Sequence, residues 1–300
     1  MERSLSIWVT GVGGVGGWIA HQLASAGEDV SLVVRPGTEA RWRETGLRLV
    51  TEEGPRPVLH LAVDEHLERL PRPTLVVVSV KMPDLAMALQ RLAPFLPDGT
   101  PVLVLQNGLG AGELAQAMLA RCRIVHAPVF LMGWTSAPGE VTAYLPRKVV
   151  LPADLPELRL PFQRAGFEVE AVQDLAAALW RKAVFLVAFA GLDVTLEGGA
   201  AAVVADPRFR ELVQELCLFA AVEGHPLPET TVDEVVAFTA GLPKDAHSSL
   251  WRDIQQGREG EWEDLVGWCQ RRARSRFLDL PVLTGLAKPV PAKAKDGSGV

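Results

Sequence analysis

The stretch VTGVGGVGG, residues 9–17, sets Gly11-x-Gly13-x-x-Gly16 directly behind the apolar run Ile7-Trp8-Val9. A helical pattern from Trp18 to Ala26 follows, stops at Gly27, and gives way to a second apolar run from Asp29. Strand, glycine turn, helix and strand packed into about 30 residues restrict the chain to an open α/β architecture with parallel strands. In that setting Gly11 permits the tight turn, Gly13 lets the backbone approach a pyrophosphate, and Gly16 lets the helix lie close to the sheet. The helix N-terminus offers its free N–H groups and positive dipole end to an anion. The bland alternative is a packing turn with no ligand, and the full strand–turn–helix context weighs against it. Gly11, Gly13, Gly14, Val15 and Gly16 are therefore the candidate cofactor loop.

The same rhythm continues. Strands are predicted over Ile7–Thr10, Asp29–Arg35, Leu75–Val80 and Val102–Gln106, each short and apolar on both faces, as in a covered parallel sheet. Helical patterns fill about 15–27, 83–94 and 111–120. Further strands are expected over Ile124–Val129, Glu140–Tyr144, Lys148–Leu151 and Phe167–Val172, with a short helix among them. Beyond Asp174 helical runs follow one another over 175–190, 206–223, 230–239, 248–256 and 260–277, with no strands to separate them. The fold class expected is an α/β Rossmann-type N-terminal domain, residues 1–172, followed by an all-α C-terminal domain, residues 173–288. Residues 289–300, small, polar and rich in Pro and Gly, are expected to be a disordered tail.

Composition narrows the function. A net charge of −6 gives no reason to expect nucleic acid or an anionic membrane surface. Arg271, Arg272, Arg274 and Arg276 read as one solvated helix end. Cys122, Cys217 and Cys269 are far apart and in no CxxC spacing, which suits buried thiols in a reduced, cytoplasmic protein. The six histidines form no HxxxH or HExxH pattern, so no metal is expected, and no GxSxG serine elbow occurs. The longest strongly apolar stretch, Ala183–Leu192, is ten residues, short of the roughly 20 a bilayer requires, so no membrane span is expected.

The end of the second predicted strand speaks to the cofactor. It reads LVVRPGTEAR, with Arg35 at the tip and no acid before Glu39. A carboxylate there would accept from an NAD ribose, whereas a guanidinium suits a 2′-phosphate, so NADP(H) is favoured over NAD(H). A merely solvated Arg35 is the alternative. Lys81 and Asn107 close two further strands, at the carboxyl ends where open α/β folds bind ligands. Lys81 suits a phosphate or a substrate carboxylate, or is simply a solvated strand end. Asn107 suits the nicotinamide ribose or the substrate.

The informative helical segment is DLAAALWRKAVFLVAFAGLDV. Lys182 lies in it among apolar neighbours, where its charged form is costly and its pKa falls towards neutrality, making it a usable general acid. A lysine snorkelling from the rim of a buried helix is the competing reading. Further on, Ser249 and Asp253 are four apart and share a helix face, and Gly257 and Gly260 interrupt before Glu261. Ser248 or Ser249 serves equally as a helix cap, and Glu261 as a complement to the next helix dipole.

The segments GVGGVGGWIAHQLASAGEDVSLVVR, VVVSVK, VLVLQNGLG, LWRKAVF and SSLWRDIQQGREGEWEDLVG occur in this order from about residue 7 to 275. In them the chain resembles the ketopantoate reductase (2-dehydropantoate 2-reductase) family. The resemblance implies substrate held between a Rossmann and a helical domain, and reduction of a 2-oxo acid by NADPH. It makes Lys182 the lysine at the carbonyl oxygen, Glu261 the carboxylate at the substrate hydroxyl, and Ser249 a holder of the substrate carboxylate. Asn107 falls near nicotinamide and substrate, Lys81 on the cofactor side, and Asp253 as a supporting group. One departure bears on substrate. The family pattern sets asparagines four and eight residues after the lysine, where this chain has Leu186 and Ala190. A polar substrate loses hydrogen bonds there, so these two substrate-site positions admit a family paralogue acting on a more apolar carbonyl compound. A non-catalytic NADP-binding sensor is the reading from another class. The expected partner is a small-molecule substrate, and a homodimer is left open.

Overall fold

The computed structural model describes residues 5–290 except Glu197. Of the expected tail only Pro289 and Val290 fall inside the described residues. The chain opens with β1 (Ser6–Thr10), α1 (Gly14–Ser25) and β2 (Asp29–Val33), then α2 (Glu39–Thr45), β3 (Arg48–Thr51), β4 (Gly54–Pro55) and β5 (Ala62–Asp64). Next come β6 (Leu75–Val78), α3 (Met82–Leu92), β7 (Pro101–Val104), α4 (Gly110–Met118) and β8 (Arg123–His126).

Six strands form a parallel sheet in the order β5-β2-β1-β6-β7-β8. The chain runs outward from β1 to one edge and outward from β6 to the other, so the topological switch lies between β1 and β6. Alternation along β1 shows why these residues form a covered strand. Ile7 and Val9 pack into the cluster that includes Trp18 and Ile19 of α1, while Trp8 packs into the one holding Leu85 and Leu89 of α3. With both faces dry, Val- and Leu-rich strands are the ones that fit.

A second sheet uses β9 (Val129–Ala137), β10 (Glu140–Pro152) and, after α5 (Pro156–Arg164), β11 (Glu168–Val172). Its order is β11-β10-β3-β4, with β9 antiparallel to β10. β3 and β4 of this sheet lie outside every predicted strand, and two further differences from the sequence reading arise here. The arm Val129–Ala137 is a strand the pattern did not reveal, because its outer half is exposed and carries no clean alternation. The segments predicted as Glu140–Tyr144 and Lys148–Leu151 are one strand, and the intervening Pro146 is absorbed by a register shift between Tyr144 and Arg147.

Beyond β11 the described elements are all helical: α6 (Leu175–Asp193), α7 (Gly199–Ala205), α8 (Pro207–Val222), α9 (Thr231–Ala240), α10 (Ser249–Gln255), a π-helical turn (Glu263–Gly267), α11 (Trp268–Ser275) and α12 (Pro281–Gly285). Two compact units divide the chain inside α6, between Ala178 and Leu179. At 19 residues and a mean hydropathy of 1.7, α6 is long and apolar enough to cross a membrane, yet 56% of its apolar window is buried within the structure. It extends the ten-residue run Ala183–Leu192 towards the N-terminus through Leu175–Lys182, and its apolarity is that of a core helix.

Trp180 fixes the rotation of α6. It is buried, edge-on to Phe219 at 5.2 Å and tilted against Trp268 at 6.4 Å. Such aromatic pairs contribute about 0.5–1.5 kcal/mol each beyond burial. The arginine cluster is not simply a solvated end. Arg272 and Arg276 both bond the buried Glu223 carboxylate at the end of α8, and Arg271 bonds Glu263. Burial raises the Glu223 carboxyl, but the two guanidiniums outweigh it and hold it below the usual range.

Candidate functional site

The candidate residues fall into two groups, one in each compact unit. In the first, α1 begins at Gly14 immediately beyond β1, with no side-chain cap and no acidic residue in its first turn. The glycines of the loop are there for different reasons. Gly11 has φ +90, and a Cβ on it would lie 2.4 Å from the Val80 amide nitrogen. A Cβ on Gly16 would lie 2.1 Å from Ser79 Oγ and 2.3 Å from Gly11 O. Gly14 faces the backbone of Gly133 in β9, with a Cβ only 2.0 Å from its carbonyl oxygen. Gly13 is the exception: its φ of −100 suits any residue, and a Cβ there meets nothing within 4 Å. Neither backbone strain nor protein packing requires glycine at 13, so the open space beside it suits the close approach of a ligand phosphate.

The neighbouring strand ends complete this group. Ser79 Oγ donates to the carbonyls of Thr10 (3.2 Å) and Gly11 (2.9 Å), tying the end of β6 to the loop. Lys81, exposed, follows at the N-cap position of α3. Gln106 Nε2 donates to Val80 O at 2.8 Å, which places Asn107 beside the same edge. Gln106 Oε1 is buried with no hydrogen-bond partner among the described residues, an acceptor of the kind a bound donor satisfies. These features fit a dinucleotide.

Arg35 lies two residues past β2, and its guanidinium meets Asp84, in the first turn of α3, at 2.5 Å. The nearby Glu65 carboxylate accepts the N–H groups of Gly37 (2.7 Å) and Glu39 (3.4 Å). Burial pulls its carboxyl up, but those amides prevail and keep it below the usual range. Ser79, Asp84, Gln106 and Gly133 were not singled out in the sequence. Of these, Gly133 would mark close backbone approach only once its strand is known, because a glycine inside a strand carries that meaning and an unrecognised strand hides it.

In the second unit Lys182 sits half-buried on α6. Burial drives its ammonium down from the ordinary 10.5 to about 7, and the Glu261 carboxylate pulls it partly back up. The structure therefore brings Lys182 and Glu261 into electrostatic contact although they stand 79 positions apart in sequence. Half-buried Leu186 and buried Ala190 follow Lys182 at one-turn intervals on α6.

The loop that delivers Glu261 is braced from α10. Asp253, largely buried, accepts Arg258 Nε at 2.9 Å across the turn, and its own carbonyl takes the Arg258 amide at 2.9 Å. Gly260, with φ +63, fits against Leu250, whose Cδ1 would lie 2.6 Å from a Cβ. Glu261 then leads into the π-helical turn Glu263–Gly267, a feature that recurs at functional sites. Ser248, not Ser249, caps α10: its Oγ accepts the Trp251 N–H at 3.0 Å. Ser249 is exposed in the first turn.

Two residues of this region escaped the sequence reading. Asp193, the last residue of α6, is fully buried and accepts the Ser248 N–H (2.7 Å) and His247 Nδ1 (2.8 Å). No spacing motif joins positions 193 and 247, so only the fold reveals the pair. Among the described residues no group of acidic, histidine or cysteine side chains is arranged to hold a metal ion, and all three cysteines are free.

Comparison with known proteins places this geometry. Residues 7–153 match the family model for ketopantoate reductase PanE/ApbA, and residues 174–294 match the model for its C-terminal domain. The chain is 25% identical over 301 residues to the 2-dehydropantoate 2-reductase of a Nostoc strain, covering 95% of this chain and 93% of that protein. Among solved structures, 2-dehydropantoate 2-reductase from Methylococcus capsulatus superposes with a TM-score of 0.86 at 25% identity, covering 94% of each chain. D-mandelate dehydrogenase, in a ternary structure with NADH and anilino(oxo)acetate, shares the fold at a TM-score of 0.81 and 20% identity, covering 94% of this chain and 96% of that one. With both halves matched, the chain belongs to the ketopantoate reductase PanE/ApbA family and is a pyridine-nucleotide-dependent oxidoreductase of the 2-dehydropantoate 2-reductase kind.

Proposed function

We propose that the protein reduces a 2-oxo acid to the 2-hydroxy acid with NADPH, 2-dehydropantoate to pantoate being the substrate pair its family favours. The observation that carries this reading is Lys182, poised near pH 7 beside Glu261. When bound, the dihydronicotinamide supplies a hydride to the keto carbon. Negative charge then grows on the carbonyl oxygen, and the Lys182 ammonium donates its proton there as the charge develops. A cationic donor aimed at that oxygen is worth most in the transition state. Glu261 keeps Lys182 protonated often enough to act and accepts a substrate hydroxyl. Ser249 and Asn107 orient the substrate, and Asp253 braces the turn before Glu261.

For the cofactor, Gly11, Gly13, Gly14, Val15 and Gly16 take the pyrophosphate on the N-terminus of α1, with Lys81 alongside. Arg35 takes the 2′-phosphate, and Asp84 holds its guanidinium in place meanwhile. Residues 1–172 thus serve the cofactor and residues 173–288 the substrate chemistry. Leu186 and Ala190 favour a second reading of the substrate, a 2-oxo acid with an apolar side chain. The test is NADPH consumption, followed by absorbance, over a panel that includes 2-dehydropantoate and aliphatic and aromatic 2-oxo acids. Turnover of at least one supports the proposal. Tight NADPH binding with no turnover across the panel points instead to a non-catalytic sensor.

A further inference from the structure

The loop before α10 is held from two sides. Gly199, with φ +62, packs against it so closely that a Cβ would lie 2.8 Å from Ala246 O. The amides of Ala200 and Ala201, at the start of α7, donate to Ala246 O (2.9 Å) and Lys244 O (3.0 Å). From the other side the Asp193 carboxylate uses both oxygens, one on the Ser248 amide and one on His247 Nδ1. The His247 ring lies flat on Trp251, with centroids 3.6 Å apart and planes within 9°. Asp193 has no exposed surface, so its two bonds are made in a water-poor setting where each is strong and its loss is costly.

These contacts have a direction. Asp193 ends the helix that carries Lys182, and its ligands are the two residues that precede Ser249. A carboxylate buried at that junction fixes where α10 starts relative to α6, and hence where Ser249 stands relative to Lys182. Capping of α10 by Ser248 does not itself require Asp193, since that cap is the serine's own hydroxyl on Trp251.

We propose that Asp193, with His247 as its partner, is a positioning residue for the reductase, holding Ser249 in register with Lys182 so that the substrate carboxylate and carbonyl are engaged together. This rests on the proposed function above. Asp193 touches neither substrate nor cofactor in this account, so its loss should act on substrate binding through Ser249.

The experiment is a double-mutant cycle on the full-length protein with NADPH and the best 2-oxo acid of the panel. Asp193→Asn keeps the size of the side chain but cannot serve two donors with two carboxylate oxygens. The expected result is a KM for the 2-oxo acid raised about tenfold, with kcat changed less than about threefold and NADPH affinity unchanged. In a Ser249→Ala background the same substitution should change KM less than about twofold. His247→Phe keeps the stack on Trp251 and removes the Nδ1 donor, so it should raise KM in the same direction by a smaller factor. It also serves as the readout if Asp193→Asn fails to fold. An Asp193→Asn protein with a lowered Tm but the parent KM overturns the proposal, as does an effect that persists in full without the Ser249 hydroxyl. A parent protein that turns over no 2-oxo acid overturns the functional reading first, and this assignment with it.

Discussion

The glycine loop and the junction of α6 with α10 solve opposite problems. The loop presents backbone: its polar groups are peptide N–H donors at the start of α1, and its side chains are absent where they would intrude. The junction presents side chains: a lysine kept near neutrality by burial, a carboxylate beside it, and a second, buried carboxylate that fixes a loop. Backbone sites depend on close approach and are sensitive to a single added methyl group. Side-chain sites depend on charge and its surroundings, so replacing Lys182 should change chemistry more than affinity, whereas replacing the buried carboxylate that only positions a loop should change affinity more than chemistry.

That contrast orders the expected effects. The largest belongs to the junction. Lys182→Ala should lower kcat/KM for the 2-oxo acid by roughly 10²–10⁴, the usual worth of a positioned general acid, with NADPH binding retained. Lys182→Arg should not restore the rate, because a guanidinium does not release its proton at neutral pH. Parent-like turnover in Lys182→Ala would remove the lysine from the chemistry.

The loop should respond next, and unevenly. Gly11→Ala forces a side chain onto φ +90 and into the Val80 backbone, at a cost of about 1–3 kcal/mol in thermal or denaturant unfolding. Gly13→Ala meets neither obstacle, so stability should hold while NADPH affinity, read by titration, falls about tenfold through the lost approach. If both variants lose stability equally, the open space at Gly13 is packing and not a ligand cradle. The smallest effect concerns cofactor choice. Arg35→Ala should weaken NADPH by about fivefold, the upper worth of a charge pair at so exposed a side chain, and leave NADH nearly unchanged. Equal affinities for the two cofactors in the parent would remove Arg35 from the 2′-phosphate.

The two regions also differ in how much the sequence reveals of them. The loop, its strand and its helix are local in sequence, and a few glycines at fixed spacing suffice to find them. The parallel sheet follows because strands dry on both faces are runs of Val and Leu. Lys182 was visible because a charge inside an apolar helix is conspicuous on its own. The Asp193–His247 pair was not, since each residue looks ordinary until the fold joins positions 54 apart. The arm Val129–Ala137 was hidden by its exposed face, and the π-helical turn by a pattern that one extra residue per turn barely disturbs. Burial and long-range pairing, which no spacing encodes, separate the legible features from the rest.

The central claim is that Lys182 donates the proton and that burial sets it near neutrality. It is tested most directly by the pH dependence of kcat/KM for NADPH-driven reduction of the 2-oxo acid. The protonated lysine is the active acid, so the profile should be level below the free-enzyme pKa of about 7. Above it the rate should fall tenfold per pH unit as the proton is lost. A profile that stays level from pH 6 to about 10, near the ordinary lysine range, would contradict the account.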